Sequence, residues 1–241
     1  MTKFGKSVIY IRGTIAYRER NLRNPEDAMS TLEDISALLQ KGKANETKAA
    51  VQKALDEGID AKTILEEGLM AGMSIIGGKF KRNEVYVPEV LIAARAMNAA
   101  LEPLKARLAE SGAKSRGVVV LGTVKGDLHD IGKNLVKIMM EGKGLEVHDI
   151  GVDVSTDKFV AAAKEHKADV VACSALLTTT MTEMKSVVEA FSAAGIRDKL
   201  VIMVGGAPVT DAFCKSIGAD IYTPDAASAA DAAAAACAKS A

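Results

Sequence analysis

Apolar and polar positions alternate along this chain in two different rhythms. From about residue 30 to residue 111 the apolar residues recur at helical spacing. Leu32, Ile35, Leu38 and Leu39 share one stripe, and a second helix is read over 45–57. A third starts at Asp60 and aligns Ile64, Leu65, Leu69, Met73 and Ile76. A fourth starts near Pro88 and carries Leu91, Ala94, Met97, Leu101, Leu104 and Leu108. End signals agree with these spans. Ser30 and Glu33 read as a capping box, Gly58 as a left-handed C-terminal residue, and Pro88 as a first-turn proline. Pro103 is a place for a kink. Four amphipathic helices with short connections predict an antiparallel bundle, with Met70, Met73 and Met97 in its core.

Beyond a short polar stretch, SGAKSR at 111–116, the rhythm changes. Apolar β-rich runs at 117–123, 145–150, 169–174, 200–204 and 219–222 alternate with helical patterns near 131–142, 156–166, 180–194, 209–216 and 225–239. That alternation predicts an α/β domain with a doubly wound, five-stranded parallel sheet. The alanine-rich end reads as a final covering helix. The expected organisation is therefore an extension over 1–29, a bundle over 30–111, a hinge over 112–116 and the sheet domain over 117–241. The extension is polar and basic, with one β-like run, SVIYIRGTIAY, and is expected to be poorly ordered.

Composition narrows the function. Lys plus Arg and Asp plus Glu each number 31, so bulk charge gives no reason to expect nucleic-acid or membrane binding. Aromatic residues make up 4% of the chain and tryptophan is absent, which disfavours base-stacking surfaces. No apolar run approaches the ~20 residues that span a bilayer, and the N-terminus lacks an apolar leader. A cytoplasmic protein is expected. Cys173, Cys214 and Cys237 are too widely spaced for a disulfide framework or a zinc cluster.

Candidate chemistry lies where ligands of open α/β sheets bind, outside the carboxyl ends of the strands. Three unusual segments fall there: GDLHDIG after the first sheet strand, SALLTTT (174–180) after the third, and GGAP (205–208) after the fourth. Gly205 and Gly206 let backbone approach a ligand closely, and Ser174, Thr178, Thr179 and Thr180 offer small hydroxyls. Such a mouth suits a bulky polar ligand. His129 is the informative residue. A lone exposed histidine is ordinarily a solvated side chain, but Asp127 stands two residues before it. A metal-bound imidazole characteristically donates its second N–H to a carboxylate. One histidine cannot hold a free metal ion, so the other ligands would have to come from a cofactor's own ring. Asp130 reads as electrostatic support for the following helix. His148 and His166 read as surface or satisfied histidines, and Cys173 as a small buried hydrophobe.

Asp127-x-His129-x-x-Gly132, followed by Ser174-x-Leu176 and Gly205-Gly206, resembles the cobalamin-binding signature of methionine synthase and its relatives. EEGLMAGMSIIGGKF (66–80) and YVPEVLIAARAM (86–97) resemble the helical cap that covers methylcobalamin in that family. The resemblance spans about 35–238 and is greatest to the small corrinoid proteins of methylamine, methanol, betaine and methoxyaromatic methyltransferase systems. It implies a helical cap above a Rossmann-like (flavodoxin-like) domain. His129 would be the cobalt ligand, displacing the cofactor's own base, with Asp127 and Thr180 as its relay. Gly126, Leu128, Asp130 and Gly132 would complete the lower loop. Ser174, Thr178, Gly205, Gly206 and Ala226 would line the tunnel for the nucleotide tail, with Leu176 packed nearby. Phe80 and Val87 would shield the methyl-bearing face, Val87 more loosely than the leucine common there. Glu66 could hydrogen-bond a corrin amide.

The implied chemistry is methyl transfer, with cobalt alternating between Co(I) and methyl-Co(III) while His129 leaves and returns. Implied partners are a substrate-specific methyltransferase, a second methyltransferase to tetrahydrofolate or a thiol coenzyme, and a reductive activator of Co(II). The chain would be a methyl-carrying subunit and not a complete enzyme. Two alternatives stand beside this one: a cobalamin-dependent sensor, which needs an output module, and the small subunit of an adenosylcobalamin mutase, which pairs with a large barrel.

Overall fold

The structure, a computed structural model, describes residues 7–11, 14–18, 25–110 and 115–240. The β-like run near the N-terminus forms an antiparallel hairpin of β1 (Ser7–Ile11) and β2 (Thr14–Arg18), with Ser7 opposite Arg18. The remaining residues before Pro25 lie outside the described residues, as do residue 111 and residues 112–114 of the expected hinge.

Helices α1 (Pro25–Gln40), α2 (Ala44–Asp56), α3 (Ala61–Thr63), α4 (Ala71–Lys81) and α5 (Val87–Glu110) form the helical part. Helix α1 starts at Pro25, so Ser30 lies inside it and is not its cap. Proline's fixed φ suits a first turn, whereas a Ser-x-x-Glu pattern is a local signal that recurs within helices. The Asp60 carboxylate accepts the amides of Lys62 at 3.0 Å and Thr63 at 3.2 Å, and Gly58 takes its left-handed turn at φ +87°. Between α3 and α4, residues Ile64–Met70 form a π-helical turn in which the Ala71 amide reaches back to the Glu66 carbonyl. Sequence spacing gave no sign of it. At Gly68 and Gly72 a methyl group would sit 3.2 Å from Ile35 and 3.1 Å from Leu39, so these glycines let α1 lie close on the π turn and α4.

The buried face of α5 matches the sequence reading at Ala94, Met97 and Leu104, with Leu101 and Leu108 half-buried on the core, and departs from it at Leu91. Val90, Ala93, Ala94, Ala96, Met97, Ala100 and Leu104 face the core, while Leu91 is 46% exposed. α5 lies against α2 and also buries Ala93, Ala96 and Ala100, small residues that the apolar spacing did not mark.

The sheet domain comprises β3 (Val118–Thr123), α6 (Ile131–Glu141), β4 (Glu146–Asp149), α7 (Thr156–His166), β5 (Val170–Ser174), α8 (Glu183–Ala193), β6 (Val201–Gly205), α9 (Asp211–Ser216), β7 (Ile221–Tyr222) and α10 (Ala226–Ser240). All five strands are parallel, in the order β4-β3-β5-β6-β7. Valine-rich strands buried on both faces are what a helix-covered parallel sheet requires. Phe159, Phe191, Val171 and Ile202 fill the face under α7 and α8. The opposite face shares one continuous core with the bundle, through Met139, Met140 and the alanines of α10.

Polar links join the two halves on this flank. Asp231 of α10 pairs with Lys81 of α4 and, at 2.7 Å, with Lys143. Lys143 also donates to Ser74 at 3.1 Å, and Arg116 meets Glu66 at 3.4 Å. Among the described residues, no helix is long and apolar enough to cross a membrane.

Candidate cofactor site

Parallel register brings the three candidate loops to one mouth. Thr123 pairs with Ser174 and Ser174 with Gly205, so β3, β5 and β6 end level with one another. After β3 the chain turns outward to edge strand β4, then returns across to β5, which opens a crevice between β3 and β5. The GDLHDIG loop lines one side of that crevice and SALLTTT the other.

Asp127 joins the two sides. Its carboxylate has no exposed surface. Oδ1 accepts the backbone amide of His129 at 3.0 Å and the ring Nδ1–H at 2.8 Å. Oδ2 accepts the Thr180 hydroxyl at 2.6 Å and the Leu176 amide at 2.8 Å, with the Leu177 amide at 3.4 Å. Burial pushes a carboxyl group up, but these donors outweigh it and hold Asp127 well below the usual carboxylate range. An ionised carboxylate can only accept, so Nδ1 is the donor of this bond and Nε2 is left for another partner.

His129 is 52% exposed, and its backbone carbonyl accepts the hydroxyl of fully buried Thr123 at 2.9 Å. The same two loops carry exposed apolar side chains: Leu128 at 73%, Ile131 at 78%, and the partly exposed Leu176 and Leu177. The sequence reading assigned Leu176 by resemblance; Leu177 and Ile131 it did not name. An apolar residue in a loop was the available signal.

The remaining candidates fall in place around the mouth or away from it. Gly206, at φ +132°, has no room for a side chain, because a Cβ would lie 1.8 Å from the Ala175 carbonyl oxygen. Gly205 is open, with its nearest neighbour at 4.0 Å, and a methyl at Gly132 would meet nothing within 4 Å. Ser174 is half-buried at the end of β5, Thr178 is exposed on the following loop, and Ala226 is buried at the start of α10. Asp130 precedes α6 and accepts the Asn134 side-chain amide at 3.1 Å. Gly126 turns at φ +78°. Phe80 and Val87 are half-buried in the helical part, Phe80 against the shared core. Glu66 sits in the π turn beside Arg116. Hydrogen bonds join His129, Asp127, Thr180 and Leu176 into one network. Among the described residues, the hydrogen bonds and ion pairs of the helical part reach the flank at α10, Lys143 and Arg116, not the loop of His129.

The donor set can be matched to a ligand class. Among the described residues, no group of three or more His, Cys, Asp or Glu could hold a metal ion by itself. A single imidazole with Nε2 left for another partner, held by a buried carboxylate on loops that carry exposed apolar side chains, suits a metal carried in a flat macrocycle. At Gly132 and Gly205 no non-neighbouring atom would crowd a Cβ closer than 4 Å, so the main chain is open to a ligand there.

Comparison with known proteins agrees. B12 binding domains match residues 117–234 and 31–105, which together take in the sheet domain and most of the bundle. The chain belongs to the B12-binding corrinoid protein family. Dimethylamine corrinoid protein 1 of Methanosarcina acetivorans is 44% identical over 196 residues, covering 81% of this chain and 92% of that protein. Trimethylamine corrinoid protein 2 of the same organism is 45% identical over 175 residues, covering 72% and 81%. Among solved structures, the methanol:cobalamin methyltransferase complex MtaBC from Methanosarcina barkeri contains a chain with a TM-score of 0.77 at 30% identity, over 90% of this chain and 86% of that one. A cobalamin-binding protein from Desulfitobacterium hafniense gives 0.70 at 32% identity, over 86% and 97%. The cofactor of this corrinoid protein is cobalamin, with cobalt as its metal.

Proposed function

We propose that this chain is a methyl carrier. It holds cobalamin with the cofactor's own base displaced and His129 on the cobalt, and passes a methyl group between two separate methyltransferases. The first takes the methyl from its substrate; the second hands it to tetrahydrofolate or a thiol coenzyme. The observation that carries this reading is one imidazole, pinned at Nδ1 by a fully buried carboxylate at the sheet's crevice. The names of the relatives favour methylamines as the donor class, and the MtaBC complex favours a methyltransferase as direct partner.

When bound, cobalamin supplies a metal that can accept and release a methyl group. The residues of the chain prepare its surroundings. Asp127 engages Nδ1, which would leave Nε2 to hold the cobalt. The Asp127 carboxylate would hold the ring in the same direction whether or not a metal were bound, through its bond to Nδ1. Thr180 donates to the far carboxylate oxygen and orients it. Leu128, Ile131, Leu176 and Leu177 offer an apolar seat that excludes water from the lower face. Gly126, Asp130 and Gly132 shape the loop beneath the ring. Ser174, Thr178, Gly205, Gly206 and Ala226 are assigned to the nucleotide tail. Phe80 and Val87 are assigned to the upper face, and Glu66 to a corrin amide, which it would share with Arg116. A reductive activator of Co(II) is the third expected partner.

The test is capture of partners by the loaded protein. Cobalamin-bound chain, recovered from native extract, is expected to bring down a methyltransferase and to change its absorbance when a methylamine is added. Loaded protein that captures no methyltransferase and responds to no methylamine would overturn the carrier reading.

A further inference from the structure

Asp153, in the loop after β4, adopts φ +51°, a left-handed conformation uncommon for a residue with a side chain. It is exposed, so core packing does not force it there. Two hydrogen bonds use the conformation. The Asp153 amide donates to the backbone carbonyl of Asp127 at 2.9 Å, and its Oδ1 accepts the Gly126 amide at 2.7 Å. One residue thus grips both residues that lead into the histidine turn. We propose that Asp153 is a positioning residue for His129, acting through the backbone of Gly126 and Asp127; the proposal deepens the methyl-carrier reading and rests on it.

The chain of contacts is short. The imidazole direction follows the Asp127 carboxylate, which binds it at Nδ1, and the carboxylate follows its own backbone. That backbone is held from below by Asp153. The far end of the turn is tied to the same loop. Lys133, one helical turn beyond His129 and only 3% exposed, donates to Asp149 Oδ2 at 2.5 Å, while Asp149 Oδ1 accepts the Gly151 amide at 3.0 Å. A buried ammonium requires such a partner. The segment Asp149–Asp153 therefore braces the histidine turn on both sides, using an edge strand that leaves the crevice itself free. Loss of the Asp153 carboxylate would leave His129, Asp127 and the tail-binding loops chemically intact, yet loosen the direction in which the imidazole points.

Two substitutions separate the carboxylate from the backbone conformation. Asp153→Asn keeps an acceptor oxygen and tolerates the left-handed region; Asp153→Gly keeps the conformation and removes the acceptor. In the apoprotein, hydrogen exchange at the Gly126 amide is expected to speed up on the order of tenfold in Asp153→Gly and to stay near wild type in Asp153→Asn. After loading with cobalamin and reduction to Co(II), electron paramagnetic resonance should show the imidazole nitrogen splitting in wild type and Asp153→Asn, and a weakened splitting in Asp153→Gly at equal cobalamin content. Unchanged Gly126 exchange in Asp153→Gly would overturn the proposal. So would faster exchange with the nitrogen splitting at full strength. Absence of the splitting from wild-type protein would overturn the carrier reading itself, and the positioning role with it.

Discussion

A carboxylate stripped of water is ordinarily driven toward its neutral form, and a buried thiol shows the same pressure without relief. Burial pushes Cys173 up to about 12. Asp127, equally hidden, is shifted the other way, because Thr180, Leu176 and His129 all donate to it. Its folded value lies below the unfolded value of ~3.9, so the stability it contributes is fully present above pH ~4. That contribution is lost as pH falls through the folded value. Asp127→Asn should therefore destabilise the apoprotein at pH 7, by about 2 kcal/mol or more, since an amide cannot accept from every donor the carboxylate serves. In urea unfolding at a series of pH values, the gap between variant and wild type should narrow below pH ~4. A gap of constant size down to pH 3 would mean that the contribution is not ionic. Asp127 and His129 were legible in the sequence because both belong to one turn, where spacing is contact. Asp153 was not legible: its partners lie in another loop, and nothing in GVDV marks a left-handed aspartate. The stacking of His148 on His166, with ring centroids 3.6 Å apart, was hidden for the same reason.

At the scale of elements, the order and type of helices and strands of the sheet domain followed from periodicity, since each strand is a short apolar run bounded by turn residues. The inner face of α5 followed at Ala94, Met97 and Leu104 but not at Leu91, and its further alanines, Ala93, Ala96 and Ala100, are buried according to how closely α2 approaches. The π turn at Ile64–Met70 depends on tertiary packing around Gly68 and Gly72 and has no spacing of its own. Phe80, near the end of α4, is half-buried on the shared core. A fully buried phenylalanine cut to alanine costs ~3–5 kcal/mol, so Phe80→Ala should cost about half that or less. If the ring also shields the upper face of the cofactor, the variant should lose bound methylcobalamin faster in light and air than wild type does. Absorbance decay of the loaded protein measures this. Strong destabilisation of the apoprotein with an unchanged decay would make Phe80 ordinary core.

Over the whole molecule, the sheet order and the loop residues converge at one mouth. The doubly wound order opens a crevice beyond β3 and β5, the place where such sheets take ligands, and His129 with Asp127 stands at it. The placement of the bundle against α6 and α10, through Asp231 and the small residues Gly77 and Ala227, was beyond the reach of sequence patterning, since it joins surfaces far apart in the chain. With the bundle so placed, His129 and its apolar neighbours stand exposed, ready for a flat cofactor. Everything proposed for the molecule depends on the cofactor's cobalt being held by this histidine and not by the cofactor's own base. Protein grown with nitrogen-15 histidine and loaded with unlabelled cobalamin decides the matter by electron paramagnetic resonance of the Co(II) state. Ligation by His129 predicts that each nitrogen-split line changes from a triplet to a doublet on labelling, and that His129→Ala removes the effect. Triplets that persist in the labelled protein would place the cofactor's own base on the metal and contradict the role given to His129.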